Sequence, residues 1–320
     1  MIAFGPVPSR RLGSSLGINH IPPKHCPYSC VYCQVGRTDH LGVTPQTFFA
    51  VDEVIRAVEQ KIELASQQNQ KIDFLTFVPD GEPTLDENLE KEIDALLPFG
   101  YPIAVITNSA LLSRPTIRKA LRKADWVSVK VDTVVEEQWR IINRPHKLLS
   151  LREILTGILA FAREYAGELV TESMFINGIN DQVDSINRLG DFLNEVAPFK
   201  VYLSIPIRPP AESWVMPPSQ EVLQQIMLHF SRNVPMTDLL FDAETDQFVS
   251  TGNLVEDILS ITSVHPIREN PLKEMVTQAG AEWRIVEELV ASNQLLCIPY
   301  RDDTFYCSSY NVRSCSSHSP

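Results

Sequence analysis

The stretch His25 to Gly36, HCPYSCVYCQVG, decides how the rest of this 320-residue chain is read. Cys26, Cys30 and Cys33 stand at C-x3-C-x2-C spacing. Thiolates this close in sequence converge on one point when their loop wraps around something, most simply a metal centre. Four cysteines close a tetrahedral zinc site or an electron-transfer cluster. Three thiolates on a four-iron cluster instead leave one iron open to a substrate or cofactor. Two plainer readings stand beside this one: a structural zinc site completed by His20, His25 or His40, and buried thiols whose spacing is accidental.

Apolar residues make up 44% of the chain and aromatics 8%, the composition of a globular protein able to bury a core. No run reaches the roughly 20 apolar residues that span a bilayer, so no membrane segment is expected. Ser9-Arg10-Arg11-Leu12 superficially matches a twin-arginine export signal. Gly, Ser, Asn, Pro and Lys follow it rather than an apolar segment, so the N-terminus reads as mature protein. Cys297, Cys307 and Cys315 lie far downstream, and ligand thiols must stay reduced. The expected compartment is therefore the cytoplasm, without disulfides. A net charge of −12 argues against a broad phosphate-binding surface, although a local basic cleft is compatible with it.

Around the cysteine loop, strand and helix patterns alternate. Strands are expected at 16–21, 72–78, 103–107, 126–131, 169–176 and 200–205, and helices at 51–66, 85–97, 115–123, 151–165 and 183–196. This implies an α/β fold with a parallel sheet, open or curled into a barrel. No Gly-x-Gly-x-x-Gly follows the first strand, so the dinucleotide-binding fingerprint is missing. Beyond Pro217-Pro218 come a helix at 220–230, an acidic and poorly patterned connection at 238–251, three short helices between 253 and 291, and a hairpin around Arg301-Asp302-Asp303. The expected division is 1–217, 218–252, 253–307 and a flexible polar tail at 308–320. Three helices and a hairpin resemble a winged helix. As a reader of DNA it is unconvincing, since its would-be recognition helix sets Glu282, Glu287 and Glu288 against Arg284.

The cysteine motif, with Tyr32 before its last cysteine, resembles the radical S-adenosylmethionine (radical SAM) superfamily. The resemblance implies a partial (β/α)6 barrel of TIM type, followed here by the small winged-helix-like domain. It also implies a 4Fe-4S cluster on Cys26, Cys30 and Cys33, with SAM chelating the fourth iron. Reductive cleavage of SAM then yields a 5′-deoxyadenosyl radical that abstracts hydrogen from a substrate. An external one-electron donor such as flavodoxin or ferredoxin is implied as partner. Pro79-Asp80-Gly81-Glu82-Pro83 looks like the family's Gly-Gly-Glu-Pro motif with Asp80 in place of the first glycine. Gly81 and Glu82 are thus candidates for the SAM amino group, and Tyr32 is a further SAM-contact candidate. Asn108, after the third strand, is a candidate near the SAM carboxylate or ribose, with Lys130 near the carboxylate and Asp132 near the ribose hydroxyls. A mutual Lys130–Asp132 ion pair is the structural alternative. Ser173, Met174 and Ile205 stand at heights facing adenine. Arg10, Arg11, Arg144 and Arg208 fall on loops near the expected active face, where they would grip an anionic substrate or simply be solvated.

Within the superfamily the nearest resemblance is to proteins similar to tRNA wyosine synthase. It rests on Gly5 to Gly13, Ser15 to Asn19, Cys26 to Thr38, Asn143 to Pro145 and Arg208 to Pro210. The wyosine-forming enzymes carry a further cysteine set upstream, and no cysteine precedes Cys26 here. The acidic charge and this departure favour a peptide, protein or small-metabolite substrate, with tRNA the named alternative. An auxiliary cluster on Cys297, Cys307 and Cys315 is a minor reading. A non-enzymatic zinc-binding adaptor is the competing class.

Overall fold

The computed structural model describes residues 2–234, 236–240, 248, 250 and 252–309. Strands β1 (Ala3–Ser9) and β2 (Gly13–Ile18) form an antiparallel hairpin, and the two-residue strands β3 (His25–Cys26) and β4 (His40–Leu41) pair at the base of the cysteine loop. Then follow α1 (Val51–Gln67), β5 (Phe74–Phe77), α2 (Leu89–Leu96), β6 (Ile103–Thr107), α3 (Pro115–Leu121), β7 (Trp126–Lys130), α4 (Glu136–Asn143), α5 (Leu151–Glu164), β8 (Glu168–Met174), α6 (Val183–Val196), β9 (Lys200–Ser204), α7 (Gln220–Asn233) and β10 (Thr237–Leu240). The C-terminal part contains α8 (Leu254–Val264), β11 (Ile267–Arg268), α9 (Glu269–Gln278), α10 (Arg284–Ala291), β12 (Leu295–Tyr300) and β13 (Asp303–Ser308).

The main sheet runs β1-β2-β5-β6-β7-β8-β9-β10, parallel from β2 onward. It curls without closing, as a partial barrel does. Two of its strands were not expected: β1, whose Gly5, Pro6 and Pro8 mask its strand character, and β10, which lies in the segment read as an acidic connection. Lys200 pairs with Asp238 across β9 and β10 at 2.8 Å, so the acidic residue belongs to the ladder rather than to a loop. The remainder of that connection at 241–247, 249 and 251, and the tail at 310–320, lie outside the described residues. Helix α4 was also not expected. It is eight residues long and buries Trp139, Ile142 and Asn143 along one face.

Strand alternation sorts side chains into two layers. Leu75, Phe77, Ile103, Val105, Val127, Val129, Val201 and Leu203 face the helices in the largest core, with Ile154, Ile158, Phe161, Ile186, Leu189 and Leu193 opposite. The inner layer is smaller: Ala104, Trp126, Val170, Tyr202 and Leu240 enclose Leu12 from the turn of the β1–β2 hairpin. That turn therefore stops the barrel from below, and the inner positions one or two pleats higher form the floor of whatever lies above.

The C-terminal segment has a core of its own, including Ile258, Ile261, Leu272, Met275, Val286, Leu289 and Leu295. A three-stranded sheet in the order β11-β13-β12 replaces the simple hairpin expected there. Asn253 caps α8 by accepting the amide N–H of Glu256 at 3.3 Å.

Candidate active site

The cysteine loop is held from two sides. On one, Ser29 N–H donates to Asn143 O at 2.9 Å and Val31 N–H to Ile142 O at 2.9 Å, which seats the loop on the C-terminal end of α4. On the other, Glu82 N–H donates to His25 O at 3.0 Å and Gly42 N–H to Cys26 O at 3.2 Å. Within the loop, Cys33 N–H donates to Cys30 O and Gly36 N–H to Cys33 O, each at 3.1 Å, and these successive turns bring the thiols to one side. Gly81 is required by packing. A Cβ there would lie 2.3 Å from the His25 carbonyl oxygen, below any real contact.

Cys26, Cys30 and Cys33 line one cavity of about 310 Å³ above the inner layer of the barrel. Tyr32, Gly81, Glu82, Asn108, Lys130, Met174 and Ile205, all expected from sequence, share its wall. So do Arg10, Arg11 and Arg208, whereas Arg144 pairs with Glu212 away from it. Asn108 donates its side-chain N–H to Cys26 Sγ at 3.2 Å, and Asn143 donates to Cys30 Sγ at 3.4 Å. Burial pushes all three thiols above their ordinary range, Cys30 to about 12, so ionised sulfur here needs a compensating positive charge. Three convergent thiols, two of them aligned by amide donors, and a glycine that leaves the backbone close fit a cluster that brings that charge.

Two expected residues are not brought to the cavity. Ser173 lies in the outer layer with its hydroxyl donating to Val131 O at 2.6 Å. Ser173 and Met174 are neighbours on one strand, so only one of them can face inward, and β8 turns Met174, together with Glu172, to the cavity. Asp132 is buried behind the cavity. It accepts from Tyr32 OH at 2.6 Å, Asn143 Nδ2 at 2.7 Å and Met174 N–H at 2.9 Å. Nor is Lys130 mainly its partner: Lys130 Nζ is 4.0 Å from Asp132 but 3.1 Å from Glu172, and it lies 4.8 Å from the Tyr32 ring centroid.

Glu172 is a site residue that sequence reading did not select. Arg11, reaching up from the hairpin turn, and Lys130 both pair with it, and Ser204 donates to it at 3.3 Å. Burial alone would raise its carboxyl, but the two cations outweigh that and hold it down at about 2. The available signal was its place two positions before Met174, on the same face of the strand, whereas the strand's other acid, Glu168, sits exposed at its start. Glu82 lies at the other end of the balance. Burial raises it, while Thr84, Thr107 and the amide of Asn108 donate to it. It caps the helical turn at Pro83–Leu85 and fixes Asn108 opposite Cys26.

A model of the radical SAM superfamily matches residues 21–189. The chain belongs to the radical SAM superfamily. It is 46% identical over 314 residues to the UPF0026 protein of Methanocaldococcus jannaschii, covering 98% of this chain and 97% of that one. A UPF0026 protein of Helicobacter pylori is 29% identical over 313 residues, at 96% and 97% coverage. Among solved structures, a radical SAM methyltransferase from Sphaerobacter thermophilus superposes with a TM-score of 0.57 at 16% identity, over 72% of this chain and 68% of that one. TYW1 with a lysine-pyruvate adduct bound superposes at 0.51 with 14% identity, over 68% and 74%. These likenesses show the shared barrel. The chain is an iron-sulfur enzyme of the superfamily that uses a 4Fe-4S cluster and SAM. Among the described residues no helix is long and apolar enough to cross a membrane.

Proposed function

We propose that Cys26, Cys30 and Cys33 are the ligands of the cluster and that the cavity above the barrel is where SAM and substrate meet. The observation that carries this is the convergence of three thiols from one loop with Gly81, Glu82 and Asn108 on a single wall. When bound, the cluster and SAM supply a 5′-deoxyadenosyl radical that abstracts hydrogen from substrate. The chain's own residues orient and exclude water. Asn108 and Asn143 align two sulfurs, Glu82 fixes Asn108, and Gly81 leaves its backbone open to the SAM amino group. Met174 and Ile205 offer apolar contact to adenine. Lys130 serves the SAM carboxylate, in balance with Glu172.

The substrate we favour is a peptide, a protein or a small metabolite, handled in the cytoplasm with electrons from a flavodoxin or ferredoxin. The net charge of −12 and the acidic face of α10 oppose a long polyanion. The C-terminal winged-helix-like domain would then dock a polypeptide through apolar contacts. Residues 297 and 307 do not support an auxiliary cluster. Cys297 pairs with Tyr306 and Cys307 with Leu296, so the two thiols leave opposite faces of the ladder, and Cys315 lies outside the described residues.

Anaerobic reconstitution tests the assignment. Absorbance near roughly 400 nm is expected in the wild type and lost, with SAM cleavage, in Cys30→Ala. A colourless protein holding stoichiometric zinc would return the adaptor reading. Titration with bulk tRNA tests the substrate class. Tight binding with a log-log salt slope of about −4 or steeper would favour the tRNA alternative.

A further inference from the structure

Outside the cavity wall, three ionisable side chains meet in the interior. His20 follows β2, Asp86 ends the helical turn at Pro83–Leu85, and Glu92 sits on α2. Their side chains are 0% exposed. His20 Nδ1 lies 2.5 Å from Glu92 Oε2 and 3.9 Å from Asp86 Oδ2, and one donor atom from each of the three residues falls within 4.8 Å of the others. The Phe77 ring packs on the imidazole at 4.8 Å between centroids.

The polar accounting of this cluster does not close. Asp86 Oδ1 accepts the amide N–H of Asn88 at 2.8 Å. Asp86 Oδ2, Glu92 Oε1 and His20 Nε2 have no hydrogen-bond partner among the described residues. No lysine or arginine among those residues pairs with either carboxylate. Besides burial and that amide bond, the influences on Asp86 are the charges of Glu92, His20 and Glu87, and its carboxyl is pushed up to about 6, with burial the largest cause. Two carboxylates and one imidazole leave a buried charge of −2, or −1 if the imidazole is protonated. Such a charge is costly unless something positive joins it.

We propose that His20, Asp86 and Glu92 bind one divalent first-row metal ion, zinc in first choice, as a structural site separate from the cysteine loop. A neutral imidazole, two carboxylates and a dication sum to zero. The donor set is one nitrogen with carboxylate oxygens, which suits zinc. His20 Nδ1, Asp86 Oδ2 and Glu92 Oε2 supply three donors, one from each residue, and a water would complete the four-coordinate ion. Bonds of about 2.05 Å set tetrahedral donors roughly 3.3 Å apart. The His20–Glu92 contact therefore opens and the His20–Asp86 spacing closes, each by less than about an ångström, through carboxylate torsions that are broad. The ion would tie the end of β2 and the start of α2 to the turn that Glu82 caps.

The experiment uses anaerobically prepared, cluster-loaded protein, so that the cysteines are occupied by iron. Wild type, Asp86→Asn and Glu92→Gln are equilibrated with zinc, dialysed, and their iron and zinc counted by mass spectrometry, with melting followed with and without a strong chelator. The expected result is about one zinc per wild-type chain, a loss of most of it in both variants at unchanged iron, and a chelator-dependent fall in Tm confined to the wild type. Wild-type protein without zinc would overturn the proposal, and this measurement stands even if a variant fails to fold. Zinc retained by Asp86→Asn would overturn it too. So would an unchanged or higher Tm in that variant, the signature of a cluster that shares a proton in place of a metal.

Discussion

Replacing Asp132 by alanine should damage the cysteine loop rather than a SAM contact. The carboxylate accepts three hydrogen bonds, from Tyr32 OH, Asn143 Nδ2 and Met174 N–H, and is itself 4% exposed. Alanine strands all three donors. Each buried orphan costs about 1–3 kcal/mol, less whatever it recovers by repartnering, so the total is on the order of 3–5 kcal/mol. That is a large part of the ~5–15 kcal/mol that holds a typical domain together. Two of the three donors carry the loop directly: Tyr32 lies between Cys30 and Cys33, and Asn143 also donates to Cys30 Sγ. The measurements are urea unfolding of the cluster-free chain and iron retained after anaerobic reconstitution and gel filtration. Both should fall in Asp132→Ala. Asp132→Asn, which keeps the shape and one acceptor, should lie between. A variant within about 1 kcal/mol of wild type, with full iron and a tenfold weaker SAM affinity, would refute this reasoning and restore the ribose contact.

Three further outcomes follow from the same geometry. Gly81→Ala forces a Cβ against the His25 carbonyl at 2.3 Å, so the turn must retreat from the cysteine loop; SAM affinity should fall at least about tenfold with secondary structure intact by circular dichroism. Tyr32→Phe removes one donor to Asp132 while keeping the ring beneath Lys130, and should cost only about 1 kcal/mol in urea unfolding, well short of the alanine variant. Glu172 is held below its ordinary value of 4.5, at about 2, so it stabilises the fold above pH ~4.5 and the contribution is lost as pH falls toward 2. The stability gap between cluster-free wild type and Glu172→Gln, on the order of 2 kcal/mol near neutrality, should narrow across that window; a constant gap would show that the ion pairs do not set it.

Much of the barrel was legible because its signals are periodic and local. Strand β6 and helix α6 fall where the apolar pattern puts them: β6 is a short apolar run buried on both faces, and α6 has one buried stripe. The elements that escaped are those whose reason for existing is tertiary. Strand β10 is a four-residue edge strand that carries the exposed Asp238, which pairs with Lys200 of the neighbouring strand, a contact its own sequence does not show. Helix α4 is only eight residues long, and its carbonyls at Ile142 and Asn143 accept from the cysteine loop, a contact that its own sequence does not announce.

The candidate site divides in the same way. Cysteine spacing and the Gly81-Glu82 turn are local and were read directly, but the roles of Asp132 and Ser173 depended on strand phase and on what stands behind each strand. Phase is fixed from below. Leu12 plugs the barrel between Trp126 and Val170, and two residues on from each of these, period 2 places Ser128 and Glu172 on the inner face. Two further on come Lys130 and Met174, both on the cavity wall, while Ser173 must then face the helices. Asp132 continues the inner series beyond the end of β7, yet Tyr32, Asn143 and the amide of Met174 have claimed it before any ligand arrives. A carboxylate with three buried donors is already in its low-energy state. The strand acid that meets the cavity is Glu172, alongside Glu82 from the turn after β5, and its two cations come from opposite sides: Lys130 from the neighbouring strand and Arg11 from the hairpin that stops the barrel. The charge at the floor of this cavity is therefore set by the N-terminal hairpin as much as by the strands around it.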